Sequence, residues 1–169
     1  MTDAGTVVVR TYVKASAQQI WDAITQEEWT LRYGYGGHTR FDLRPGGALS
    51  ISADAPMREG AAAMGFDLPD PILDGEVLEV DAPRTLRTTW RMLMDPSCAA
   101  EPFTTMTYEI TEYDGYCGLV VTHDCTQSPS TYAMVSGAGP ARADQGGGGL
   151  PWVIADLKSV LETGSRLGA

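Results

Sequence analysis

The chain has 169 residues, 43% hydrophobic and 20% charged, the composition of one globular domain that buries about 70% of its unfolded surface without disulfide or metal support. Twelve basic against twenty-two acidic residues leave a net charge of −10, which repels phosphate backbones and anionic lipid and argues against nucleic acid or membrane as a partner. No apolar run approaches the roughly eighteen residues of a membrane span, and the opening MTDAGT lacks the basic and apolar regions of a signal peptide, so a cytoplasmic location is expected.

Thr6 to Lys14, rich in β-branched residues and free of Gly and Pro, predicts a first strand. Ser16 with Gln19 three residues on reads as a capping box, after which Ala17, Ile20, Trp21 and Ile24 recur at helical spacing. A second box, Thr25 with Glu28, predicts a short helix carrying Trp29 and Tyr33. Gly36 to Leu43 and Ala48 to Ala53 flank Arg44-Pro45-Gly46-Gly47, a type II turn sequence, and predict a hairpin. Asp54 to Pro71 holds prolines at 56, 69 and 71 and reads as a loop with at most one helical turn, its apolar Met57, Met64 and Phe66 expected to pack onto something.

Four strands follow in meander order, Ile72 to Val80, Arg84 to Met94, Thr104 to Tyr113 and Tyr116 to Thr126, the last two joined by the two-residue hairpin signal Asp114-Gly115. Ser128 to Gly149, with six glycines and two prolines, reads as a flexible glycine-rich loop. Pro151 is placed at a first helical position, and Val153, Ile154, Leu157, Val160 and Leu161 repeat at helical spacing until Gly164. One α+β domain over 1–169 is expected, a mainly antiparallel sheet of about six strands wrapped around a C-terminal helix at 150–164.

Alternation puts Leu86, Thr88, Trp90, Met92 and Met94 on one face of the fifth strand, with Met106, Tyr108 and Ile110, then Leu119, Val121, His123 and Cys125, at the same period on its neighbours. A wall of Trp, Tyr and Met with one imidazole offers large, adaptable contact area to apolar ligands. Asp124 falls on the opposite face from His123. The two histidines, His38 and His123, and the scattered Cys98, Cys117 and Cys125 supply no metal-ligand set. No GK[ST], GxSxG or GxGxxG occurs, so neither metal nor organic cofactor is expected. The odd cysteine count without a CxxC pair predicts reduced thiols.

The segments VKASAQQIWDAIT, RPGGAL, GEVLEVDAPRTLRTTW, TTMTYEITEYDGYCGLVVTHD and GGGLPWVIADLKSVLE, in this order over nearly the whole chain, resemble the START-like or SRPBCC superfamily with its helix-grip fold. Within it they are most similar to the branch named for the activator of heat-shock-protein ATPase. The departures from that pattern are the long segments 54–71 and 128–149. The resemblance implies a hydrophobic cavity between sheet and C-terminal helix, on a scaffold that also serves lipid carriers, polyketide cyclases, co-chaperones and enediyne self-resistance proteins.

The expected cavity residues are Trp29, Tyr33 and His38 at the rim, Met64 and Phe66 as cover, Trp90, Met92, Met106, Tyr108 and His123 on the wall, and Trp152 and Leu157 on the helix. The function expected from this set is binding of a bulky apolar, polyketide- or enediyne-type small molecule for sequestration, self-resistance or transport by a bacterial monomer or weak homodimer. A polyketide cyclase or aromatase using His123 or Tyr108 as proton carrier is the alternative, and a heat-shock-ATPase co-chaperone the second.

Overall fold

A computed structural model describes residues 4–168. In chain order it contains β1 (Thr6–Val13), α1 (Ala17–Thr25), α2 (Glu27–Thr30), β2 (His38–Phe41), β3 (Ala48–Ser52), α3 (Ala55–Ala63), β4 (Leu73–Asp81), β5 (Thr85–Met92), α4 (Pro96–Ala99), β6 (Thr104–Tyr113), β7 (Tyr116–Asp124), α5 (Pro129–Val135), a 3₁₀ turn (Ala143–Gln145) and α6 (Gly149–Thr163). The strands form one antiparallel sheet of seven, in the order β1-β7-β6-β5-β4-β3-β2, one for each segment read as a strand, against the expected total of about six. The sheet, α1 and α6 make the α+β helix-grip arrangement.

Local chemistry accounts for most boundaries. Ser16 Oγ accepts the Gln19 N–H at 3.1 Å while Gln19 Oε1 accepts the Ser16 N–H at 2.9 Å, closing the first capping box and turning Ile20, Trp21 and Ile24 inward. Gly46 adopts φ 84° inside the Arg44–Gly47 turn, whose Gly47 N–H reaches the Arg44 carbonyl at 2.8 Å. Tyr113 pairs with Tyr116 across Asp114-Gly115. Along β7, Cys117, Leu119, Val121 and His123 are buried while Tyr116 and Asp124 face solvent, so one sheet face meets α1 and α6. Ile20, Leu86, Leu119 and Leu157 lie fully buried in the shared core, each contributing about 1.5–3 kcal/mol over an exposed position. The β1 edge is guarded: Lys158 Nζ donates to the Tyr12 carbonyl and Glu162 accepts the Lys14 N–H, both at 2.8 Å.

Four sequence expectations are corrected. The second capping box does not form, because Thr25 is the last residue of α1 and its hydroxyl donates to the Trp21 carbonyl at 2.8 Å; Gln26 starts α2 without a side-chain cap. Segment 54–71 is not mainly a loop, since Asp54 Oδ1 accepts the Met57 N–H at 2.9 Å and launches α3 through Pro56 and an Ala-rich stretch. Met64 and Phe66, expected to pack or to cover a cavity, stand 71% and 64% exposed. Segment 128–149 holds α5, whose first turn is bonded by Glu101 through the Ser130 and Thr131 N–H groups at 2.6 and 3.0 Å.

The glycines after α5 mark close backbone approach: a Cβ on Gly149, at φ 55°, would lie 2.3 Å from the Val135 carbonyl oxygen. Helix α6 starts at Gly149, two residues before the expected position, so Pro151 occupies the third helical position, where no intrahelical N–H bond is lost. Gly164 ends it at φ 77°, as the sequence predicts.

Candidate functional site

The inner sheet face is built in cross-strand rungs. Val7, His123, Met106, Thr88 and Val77 lie side by side in one rung, and Val9, Val121, Tyr108, Leu86 and Val80 in the next. Leu86 and Val121, on either side of Tyr108, are fully buried, whereas Tyr108 and, packed against the same core, Trp29, Tyr33 and Trp90 are only half-buried. On this face the small aliphatic groups are fully buried and the large aromatic groups are half-buried.

Each polar group of this interior has a definable state. Burial pushes the Tyr108 phenol up to about 12. Burial raises Tyr33 as well, reinforced by Tyr108 nearby, and the Tyr33 hydroxyl donates to the Ala23 carbonyl at 2.9 Å. His123 is 0% exposed. Desolvation lowers its pKa to about 4, against a small opposing effect of Asp124, so the ring is neutral at pH 7. Its Nε2 lies 2.7 Å from Thr104 Oγ1, which in turn donates to the Trp90 carbonyl at 2.9 Å. Nδ1 is the one buried side-chain nitrogen or oxygen without a partner among the described residues.

The remaining expected site residues divide. Met106 and Leu157 are buried in this interior, and Met92 is half-buried at the end of β5. Trp152 stacks on Tyr35 with centroids 5.1 Å apart and planes at 20°, at the N-terminal end of α6. His38 is half-buried beside Glu27, 2.7 Å away, and that hydrogen bond holds the Glu27 carboxyl below its usual range. Trp29 carries the Arg32 guanidinium 4.4 Å from its ring centroid. Met64 and Phe66 are not brought into the interior.

Sequence reasoning missed Thr104, the partner of His123 nineteen residues away, and Asp156. The latter is 0% exposed in the apolar stripe of α6 and accepts the Gly34 N–H at 2.9 Å, the Leu167 N–H at 2.7 Å and Arg166 Nε at 3.2 Å. An acid between Ile154 and Leu157 was the available signal. It ties the segment after α2 to α6 and the C-terminal tail.

Two open grooves lie elsewhere, one of about 500 Å³ between β1 and α6 and one of about 350 Å³ beside the β6–β7 turn. Neither contains an expected site residue. Among the described residues no group of three or more His, Cys, Asp or Glu is placed to hold a metal ion, and no helix is long and apolar enough to cross a membrane.

Solved structures with this fold include MLL2253 from Mesorhizobium loti, 22% identical over 92% of this chain and 96% of that one, TM-score 0.62. DynU16, a protein of the dynemicin biosynthetic locus, is 20% identical over 95% of this chain, TM-score 0.64; the chain spans 48% of DynU16. PFC0360w, an HSP90 activator from Plasmodium falciparum, is 18% identical over 97% of this chain and 91% of that one, TM-score 0.55. At these identities the likeness is one of fold. No curated protein sequence matches. The family described as Activator of Hsp90 ATPase homolog 1-like protein matches residues 14–161, nearly the whole helix-grip domain, and the chain therefore belongs to that family.

Proposed function

We propose that this protein binds a bulky apolar small molecule between the inner sheet face and α6, and holds it without transforming it. The observation that supports this reading is the half-buried aromatic set Tyr33, Trp90 and Tyr108 packed against a fully buried aliphatic core. A core residue whose only role is packing gains most by complete burial, whereas aromatic faces left partly free suit a flat guest. The likeness to DynU16, from a dynemicin biosynthetic locus, favours a polyketide-type ligand of the enediyne class and a role in sequestration or self-resistance.

Native mass spectrometry of the protein purified from its own cells tests this. A retained aromatic or polyketide metabolite at one per chain supports the reading; a protein that carries none, and takes up none from an extract of the same cells, contradicts it. A co-chaperone role is the second reading, favoured by the family match and the likeness to an HSP90 activator. It requires stimulation of ATP hydrolysis by an Hsp90-class ATPase.

A further inference from the structure

β1 is the outermost strand on one side of the sheet, paired with β7 and with no strand beyond it. Three bonds fix which way its backbone groups point. The Gly5 carbonyl, immediately before β1, turns toward β7 and accepts the Cys125 N–H at 3.0 Å, whereas the Tyr12 carbonyl and the Lys14 N–H turn outward to Lys158 and Glu162, both at 2.8 Å. The N–H and C=O of one strand residue point to the same side, and the side alternates along the chain. Val8 and Arg10 therefore share the outward side with Tyr12. Lys158 and Glu162 give Tyr12 and Lys14 the donor and acceptor that a further strand would offer. Among the described residues no such partner reaches the backbone of Val8 or Arg10.

This bare stretch borders an open groove of about 500 Å³, which runs along Val9, Arg10 and Thr11 and is walled on the helix side by Pro151, Ile154 and Ala155. On the outer sheet face Val8 is 47% exposed and Arg10 is exposed. Val120 lies opposite Arg10 on β7 and separates it from Glu109 on β6. Arg10 forms no ion pair among the described residues. A strand laid beside β1 would set one residue next to Val8 and one next to Arg10 on the outer face, and would turn its alternate residues over the groove.

We propose that this half of β1 docks an extended peptide segment of a partner protein as a further strand, with an acidic residue beside Arg10, a β-branched residue beside Val8 and apolar residues over the groove. An extended main chain is the group that offers donors and acceptors at the repeat of a strand edge, and a carboxylate is the side chain that complements Arg10. A second copy of this chain fits less well, because its own β1, TVVVRTYV, holds no acidic residue to set beside Arg10. The surface lies apart from the interior aromatic set and does not depend on a ligand there.

The test follows amide hydrogen exchange of the full chain by NMR. Without peptide, the Val8 and Arg10 amides are expected to exchange faster than those of Val7, Val9 and Thr11, which face β7. The probe is acetyl-STVEVTS-amide, which reads alike in both directions and so brings its glutamate to Arg10 in either strand orientation. At saturation it is expected to slow Val8 and Arg10 by roughly ten-fold. The lysine counterpart, acetyl-STVKVTS-amide, is expected to bind roughly two- to ten-fold more weakly, and Arg10→Glu to reverse the order of the two peptides. Equal affinity of wild type for both peptides overturns the proposal, as do binding that leaves Val8 and Arg10 exchanging freely and no binding at millimolar peptide. Protection of Val8 and Arg10 that rises with protein concentration alone, together with a doubled mass in sedimentation, would assign the edge to a second copy and overturn it likewise.

Discussion

The Trp90 indole meets the His123 imidazole nearly edge to face, with ring centroids 4.9 Å apart and planes at 76°. This contact keeps the imidazole out of water, and a buried ring resists charge. Burial lowers the pKa of folded His123 to about 4, against 6.5 for the ordinary group, with the Asp124 charge opposing. Between these values the unfolded chain binds more protons than the native one, so stability falls as pH drops from 6.5 toward 4, by at most about 3 kcal/mol. Above pH 6.5 the ring is neutral in both states and contributes no slope. Urea denaturation at pH 7.0, 5.5 and 4.5 (probe conditions spanning about this window) is expected to show the loss in wild type and a smaller one in His123→Leu; parallel losses in the two proteins contradict it.

Asp156 and Arg166 differ in what they stand to lose. Asp156 is wholly buried and bonds the N–H groups of Gly34 and Leu167, whereas the Arg166 side chain is 47% exposed. Asp156→Ala leaves backbone donors unmatched and is expected to cost about 2–3 kcal/mol. Arg166→Ala removes a half-solvated pair with Asp156 and a hydrogen bond to the Gly34 carbonyl, which water can replace, and is expected to cost less, about 1 kcal/mol. Thermal melts of both variants check the ordering, and equal shifts would refute it.

Gly149 begins α6 at φ 55°, and a Cβ there would meet the Val135 carbonyl at 2.3 Å and the Gly137 nitrogen at 2.6 Å. Gly149→Ala is expected to destabilise by roughly 2 kcal/mol or more, from left-handed strain plus backbone displacement. Gly139, whose added Cβ would meet nothing within 4 Å, is the control: Gly139→Ala is expected to leave the melting temperature within error. A tolerant Gly149→Ala would mean that the α5–α6 connection is loose.

Local signals carried most of the fold. The Ser16/Gln19 box, the Arg44–Gly47 and Asp114-Gly115 turns and the two-residue alternation of β5 to β7 each depend on neighbours in sequence, and alternation alone placed His123, Met106 and Tyr108 on the buried face while turning Asp124 out. What escaped depends on distance. Thr104 meets His123 only after β6 and β7 pair, and the Asp156 clasp joins residues more than a hundred positions apart. In α3 the cap was present in Asp54 and Pro56, but nearby glycines and prolines masked it. Apolar composition could not say that Met64 and Phe66 would face solvent.

The methionines provide the most direct measure of whether the interior takes a guest. Met106 is buried on the inner face beside Tyr108, while Met64 is 71% exposed after α3. In a ¹³C-methyl spectrum titrated with 1-naphthol, Met106 is expected to shift saturably through ring currents while Met64 stays in place. A shift confined to Met64, or a spectrum unchanged by millimolar probe, would contradict an interior binding site.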